Sequence, residues 1–322
     1  PWQLLGELPR DHEWGKITAG DFANIRADKD GRLWTSVFYV IRPDLQPDKV
    51  YMTGDPKTMP KAFWNYYRRA DEGSWEPEGT REKLLAFDSV GAGRIVGVTV
   101  PKGEHPLNKK DTIEHIAPDG TRTELTPKRT FGYTPDSTFV LATPRGDIYA
   151  APAGGNEITL FRKNEPAREI TVRRLVERGT RHILALTGDG NWLAAFEGGT
   201  TRGQSFRVET DGTLAFGQSF YVLHKPDDAD GAGALDAAAE ASDMGYLHVA
   251  TTLGVQILDA NGRTAAILPL PGGAAAISLC FGGPDFKTLY ALGADGKIHS
   301  RPMKNPGALP WLPPAPIKMR AG

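Results

Sequence analysis

Short apolar runs separated by Gly-, Pro- and Asp-containing breaks set the rhythm of the chain, and extended helical periodicity is scarce. Five of the breaks share one plan: "DKDGRLWTS" (28–36), "TPRGDIYAA" (143–151), "TGDGNWLAAF" (187–196), "SDMGYLHVAT" (242–251) and "GGPDFKTLYAL" (282–292). Each sets Asp, Gly or Pro-Asp where a turn needs a positive φ or a side-chain bond to backbone, then continues into an aliphatic, β-branched or aromatic run. Weaker hairpin signals lie between them, in "APDGTRTEL" (117–125), "ETDGTLAF" (209–216) and "LDANGRTAAIL" (258–268). The pattern predicts many short strands joined by tight turns, with 37 Gly and 25 Pro supplying the turns.

The later turns recur at about 40 to 55 residues, the length of one four-stranded propeller blade. Dividing the chain by that period predicts an all-β fold, a β-propeller of about six blades forming one domain over residues 1–322. The weaker hairpins read as outer strands of the same blades. An α/β fold would need amphipathic helices that the pattern lacks. Residues 41–82, with "DPKTMPKAFWNYYRRADEGSWEPEGTREK", break the rhythm and read as an inserted loop with a short helix near 60–70. Beyond Met303, "KNPGALPWLPPAPIKMRAG" has too many prolines for a sheet interior, so 304–322 are expected to run extended over the surface.

Charge narrows the partners. With 38 Lys and Arg against 39 Asp and Glu the net charge is −1, which provides no basic excess to steer the chain onto phosphate backbones or anionic lipid. No stretch approaches the roughly 18 to 20 apolar residues of a spanning helix. The expected partner is a small molecule, not nucleic acid or membrane. If Pro1 follows a removed signal peptide, a periplasmic or secreted location is expected. Cys280 is the sole cysteine, so an intramolecular disulfide and any cysteine-based metal cluster are excluded; its apolar neighbours predict a buried small hydrophobe.

Residues 245–304, from "GYLHVATTLGVQILDANGRTAAIL" through "SLCFGGPDFKTLYALGADGKIHSRPMK", resemble the C-terminal blades of the gluconolactonase and regucalcin (senescence marker protein) family. Over 1–180 the likeness rests on blade rhythm and "ADKDGRLWTS". The resemblance implies a six-bladed propeller whose central channel holds one divalent cation on a first-blade Glu, two middle-blade Asn and a fifth-blade Asp. Such a cation would polarise a lactone carbonyl while a carboxylate helps to activate water.

Carried over by position, that ligand set is mostly changed. Asp236 in "GAGALDAAAEASDMGYLHVAT" matches the Asp after a one-residue shift. His182 in "GTRHILALTGDGNWL" and Thr138 in "DSTFVLATPRGDIY" stand where the two Asn are expected. Ala23 in "GDFANIRADKDGRLW" stands in place of the Glu, with Asp21 two residues away. One carboxylate, an imidazole and a hydroxyl would hold Ca²⁺ weakly. Asp236, His182 and Asp21 could instead hold Zn²⁺ or another borderline metal. With no metal at all, Arg181 or His182 could take the cation's place and polarise a sugar carbonyl, with Asp236 as base.

The candidate catalytic groups are therefore Asp236, His182 and Arg181, each with a plain alternative as a satisfied channel or surface residue. Trp64, Tyr67 and Arg68 in the aromatic segment suit a lid over a sugar or sugar acid, or simply cover a propeller rim. His224 in "YVLHKPDD" and Thr138 complete the candidate substrate contacts, His224 doubling as a rim residue. "GAGRIVG" (91–97) leads into a strand and lacks the Lys-Ser or Lys-Thr of a phosphate loop, and "DANGR" (259–263) lacks the later ligands of a calcium loop. No nucleophile elbow, HExxH or paired-cysteine motif appears. The resemblance thus implies an enzyme acting on a sugar lactone or related carbohydrate carbonyl. Two alternatives stay open: a non-catalytic carbohydrate- or protein-binding propeller, and a lyase or isomerase using the same channel.

Overall fold

A computed structural model describes residues 1–8, 11–12, 15–16, 23–28, 30–41, 61–69, 75–81, 84–89, 95–99, 112–116, 122–124, 139–143, 147–151, 157–162, 168–171, 182–197, 200–227, 234–241 and 245–308. Strand β1 (Gln3–Glu7) is followed by a small hairpin of β2 (Asp11–His12) and β3 (Gly15–Lys16). Among the described residues, six four-stranded antiparallel sheets then succeed one another along the chain. The first holds β4 (Ala23–Ala27), β5 (Leu33–Ile41), β6 (Lys61–Arg69) and β7 (Trp75–Arg81). The second holds β8 (Leu84–Ser89), β9 (Ile95–Thr99), β10 (Thr112–Ile116) and β11 (Arg122–Glu124). The third holds β12 (Phe139–Ala142), β13 (Ile148–Ala151), β14 (Glu157–Phe161) and β15 (Arg168–Thr171). The fourth holds β16 (His182–Leu186), β17 (Trp192–Glu197), β18 (Arg202–Val208) and β19 (Leu214–Val222). The fifth holds β20 (Ala234–Ala241), β21 (Leu247–Thr251), β22 (Gly254–Leu258) and β23 (Thr264–Leu268). The sixth holds β24 (Ala276–Gly282), β25 (Thr288–Gly293) and β26 (Lys297–Pro302), with β1 as its fourth strand.

The first strand of each sheet lies against the first strand of the next, from β4 through β8, β12, β16, β20 and β24, and β24 returns to β4. Early strands are therefore flanked by neighbouring sheets, and where their burial is described they do not alternate between buried and exposed positions. Strands β13, β21 and β24 are buried at every position, whereas the outer β19 and β23 are mostly exposed or half-buried. "LHVAT" and "AISLCFG" are accordingly buried along their whole length, with His248, Thr251 and Ser278 among the buried polar residues. Cys280 sits buried in β24, as its neighbours predict.

All five of the stronger turn motifs join the first strand of a sheet to its second, and the three weaker ones join a sheet's third to its fourth. In the second sheet, Gly97 of "GAGRIVG" lies in β9, and 91–94 fall outside the described residues. "DANGR" is a hairpin turn as well: the Gly262 N–H donates to the Asp259 carbonyl at 3.0 Å, and Asp259 Oδ1 accepts from the Asn261 and Arg263 N–H groups at 2.8 and 3.0 Å.

One local expectation is corrected. The segment near 60–70 is not a helix but β6, paired residue by residue with β5 on one side and β7 on the other. Its aromatics favour a pleated strand when partner strands exist, here β5 and β7. Of the span 41–82 read as an inserted loop, Lys61–Arg69 and Trp75–Arg81 are sheet strands, and 42–60 lie outside the described residues. Most of the Pro-rich tail also lies outside them; its first residues run beside the sixth sheet, with the Gly307 N–H donating to the Phe286 carbonyl at 3.0 Å. Among the described residues no helix is long and apolar enough to cross a membrane.

Candidate functional site

Strands β16 and β20 are the first strands of adjacent sheets and lie against each other. His182 is the first residue of β16, and Asp236 is the third of β20, inside an irregular stretch where the register with β21 shifts between Ala234 and Ala239. By backbone position, the two strongest candidates therefore fall near the starts of neighbouring strands at the centre of the ring of contacts. Asp21, Thr138 and Arg181 lie outside the described residues.

The register adds a residue that sequence reasoning passed over. Glu197 ends β17 directly opposite His182, and it is buried. A carboxylate closing an apolar run, in "WLAAFE" before Gly-Gly, is the signal that could have found it. Burying a carboxylate is costly unless charge or hydrogen bonds compensate it, which makes Glu197 a candidate for the site.

The segment leading toward Asp236 is pinned on its other side. Gln256, fully buried on β22, accepts the His224 N–H through Oε1 at 2.8 Å and donates through Nε2 to the His224 carbonyl at 2.8 Å. The same Nε2 reaches Thr251 Oγ1 at 3.2 Å, and Thr264 Oγ1 donates to Oε1 at 3.3 Å. His224 itself is exposed, so its backbone is fixed while its ring faces outward, as a rim residue would be.

Trp64, Tyr67 and Arg68 lie on β6, the third strand of the first sheet, and not on a loop. Their register partners are Phe38 and Arg81 for Trp64, Thr35 and Pro77 for Tyr67, and Trp34 and Glu76 for Arg68. The loop and short helix expected here are accordingly corrected to strand: these residues are two strands removed from β4, the first strand of their sheet. Among the described residues no group of three His, Cys, Asp or Glu side chains is placed to hold a metal ion.

No family model matches the chain, and no curated protein does. Solved structures do. A calcium-binding regucalcin from Agrobacterium tumefaciens is 11% identical, with 96% of this chain and 95% of that one covered at a TM-score of 0.60. A gluconolactonase from Xanthomonas campestris is 13% identical, with 89% and 88% covered at 0.58. A streptogramin B lyase is 12% identical, with 93% and 97% covered at 0.55. Identities this low speak to the fold and leave the activity to the site. The protein is nearly all β, built of antiparallel sheets, and has a gluconolactonase/regucalcin-like, propeller-type fold.

Proposed function

We propose that the six sheets are the blades of one propeller domain spanning 1–322, and that its central channel acts on a sugar lactone or related carbohydrate carbonyl, as a lactone hydrolase. What carries this reading is the juxtaposition, on the adjacent first strands β16 and β20, of His182 and Asp236, with buried Glu197 opposite His182. The likeness in fold to a gluconolactonase and a regucalcin points the same way.

In this scheme Asp236 accepts a proton from water, which attacks the lactone carbonyl carbon. His182 or Arg181 stabilises the oxygen as charge develops on it. The bond from the acyl carbon to the ring oxygen then breaks, and the ring oxygen takes up the proton to give the hydroxy acid. A divalent cation, if bound, would be held by Asp236, His182 and Asp21, joined by Glu197, a donor set of carboxylate and imidazole whose chemistry suits Zn²⁺ better than Ca²⁺. Bound there, it would supply Lewis-acid polarisation of the carbonyl. Arg181 enters as the residue preceding His182, and Asp21 and Thr138 through the positions matched in the resemblance, with Thr138 and His224 as substrate contacts.

The test is a lactone panel assayed with and without added Zn²⁺, Ca²⁺ and Mn²⁺, for the full chain and for Asp236→Asn and His182→Ala. Turnover that falls by about a hundredfold or more in either variant is expected; no turnover under any condition overturns the reading. A lyase or isomerase in the same channel is the second reading, favoured by the shared fold with a streptogramin B lyase and by the changed ligand positions. Product mass separates the two, because hydrolysis adds the mass of water and the other reactions do not. Tight binding of a sugar without conversion would instead indicate a carbohydrate-binding propeller.

A further inference from the structure

An open groove of about 640 Å³ lies at one end of the fourth sheet, lined chiefly by Asn191, Trp192, Arg207, Glu209, Thr210 and Phe216. It is remote from the proposed catalytic end. Strand β16 starts at His182 and runs away from it to the turn at 187–191, where the groove begins. At about 3.3 Å per residue, the intervening strand separates the two by roughly 15 Å or more.

The groove holds two aromatic side chains that the fold does not bury. Phe216 is 71% exposed and has a φ of 53°, a conformation that side-chain-bearing residues adopt at a cost. An exposed ring on a strained backbone is doubly unfavourable, and strain of this kind is a pointer to function. Trp192, 36% exposed, is held at the strand start by its N–H bond to Thr187 Oγ1 at 3.1 Å.

The polar groups are pre-arranged around these rings. The Arg207 guanidinium lies 5.8 Å from the Phe216 ring centre, and its Nε stands 3.5 Å from Glu209 Oε1. Asp189 Oδ2 accepts from the Asn191 side-chain amide at 3.0 Å and so fixes its orientation. The lining charges of Arg207 and Glu209 neutralise each other. A charged ligand would have to compete with that pair, whereas a neutral polyhydroxylated one could bridge it.

We propose that this groove binds a neutral oligosaccharide. The C–H faces of its sugar rings would stack on Trp192 and Phe216, and its hydroxyls would bond the Arg207–Glu209 pair and Asn191. The openness of the groove suits a segment of a longer chain. The site is a binding site only, and it stands whether or not the channel is a lactonase.

The test is titration of the full chain with cellotriose, maltotriose, triacetylchitotriose and, as the charged comparison, trigalacturonate, read by tryptophan fluorescence and saturation-transfer NMR. Variants Trp192→Ala and Phe216→Gly remove the rings; the glycine also accepts the positive φ, so Phe216→Gly should keep or raise Tm. Saturable binding of at least one neutral trisaccharide is expected, weakened about tenfold or more in both variants, with lactone turnover unchanged. No saturable binding of any neutral probe at millimolar concentration overturns the proposal, as does binding that survives both substitutions. Preference for trigalacturonate overturns the assignment of a neutral ligand.

Discussion

Gly31 and Gly283 meet backbone against backbone where the first sheet abuts the sixth: the Gly283 N–H donates to the Gly31 carbonyl at 2.9 Å. A Cβ on Gly31 would stand 2.1 Å from the Gly283 carbonyl oxygen. Beside this contact, the Ile25 N–H donates to Ser278 Oγ at 3.2 Å, a second bond from β4 to β24. The "FGGPD" turn and the "DKDG" turn, about 250 residues apart in sequence, are thus the two halves of one joint.

Substituting Gly31 by Ala should be costly for two separable reasons, a φ of 76° and a collision with backbone that cannot swing away. Gly272 supplies the control, because its φ is 74° and a Cβ there meets nothing within 4 Å. Gly272→Ala should lose about 1 kcal/mol, and Gly31→Ala about 3 kcal/mol or more. Equal Tm values for the two variants would mean that the joint yields freely.

The N-terminal strand should be indispensable. Strand β1 pairs Gln3 with Ser300 and Leu4 with His299, the Leu8 N–H donates to the Gly296 carbonyl at 2.9 Å, and Leu8 packs with Ile25, Leu33, Leu292 and Ile298. A chain lacking residues 1–8 would leave β26 as an open edge with apolar residues uncovered. Lower Tm and rising light scattering are expected; a deletion variant that stays monodisperse at unchanged Tm would show that β1 is dispensable.

Gln256 should behave as a buried clamp. Gln256→Leu fills similar space but leaves the His224 N–H and carbonyl without their partner, for a loss of about 2–4 kcal/mol. Gln256→Glu can still accept from the N–H but has no donor for the carbonyl, so an intermediate loss is expected. Hydrogen exchange at the His224 amide should accelerate in the Leu variant, and exchange at the wild-type rate would contradict the clamp.

His299 gives stability a dependence on pH. Its ring is buried on β26, and neither ring nitrogen has a hydrogen-bond partner among the described residues. Burial lowers its pKa below the ordinary histidine value, with Asp295 opposing and Lys297 reinforcing the shift. The fold therefore holds the ring neutral while the unfolded chain takes up a proton as pH falls through about 6.5. Stability is lost progressively below that point, until the folded-state pKa is passed. Tm measured from pH 7.5 to 5 should fall further for the wild type than for His299→Leu; parallel curves would assign the acid sensitivity elsewhere.

Much of the architecture was legible because it is written in local chemistry. "TGDGN", "ETDGT" and "DANGR" form turns through their own Asp or Asn oxygens and a glycine at positive φ, interactions that span four residues and need no partner sheet. The aromatic run at 61–69 was misjudged because strand preference depends on neighbours, here β5 and β7, that the local pattern does not contain. Of the candidate site, His182 and Asp236 were reached through resemblance at particular positions, whereas Glu197 became visible only when the register set it opposite His182.

By itself, the sequence determined an all-β chain of short strands, a net charge with no basic excess, and a lone cysteine packed in the core. Only the tertiary structure decided that residues 3–7 complete the last sheet, that two glycine turns from opposite ends of the chain lock together, and that Trp192 and Phe216 share one groove. The physical reason is range. Turn geometry and strand preference act between residues a few positions apart, while strand pairing across the closure and the shape of a groove depend on which distant backbones come into contact.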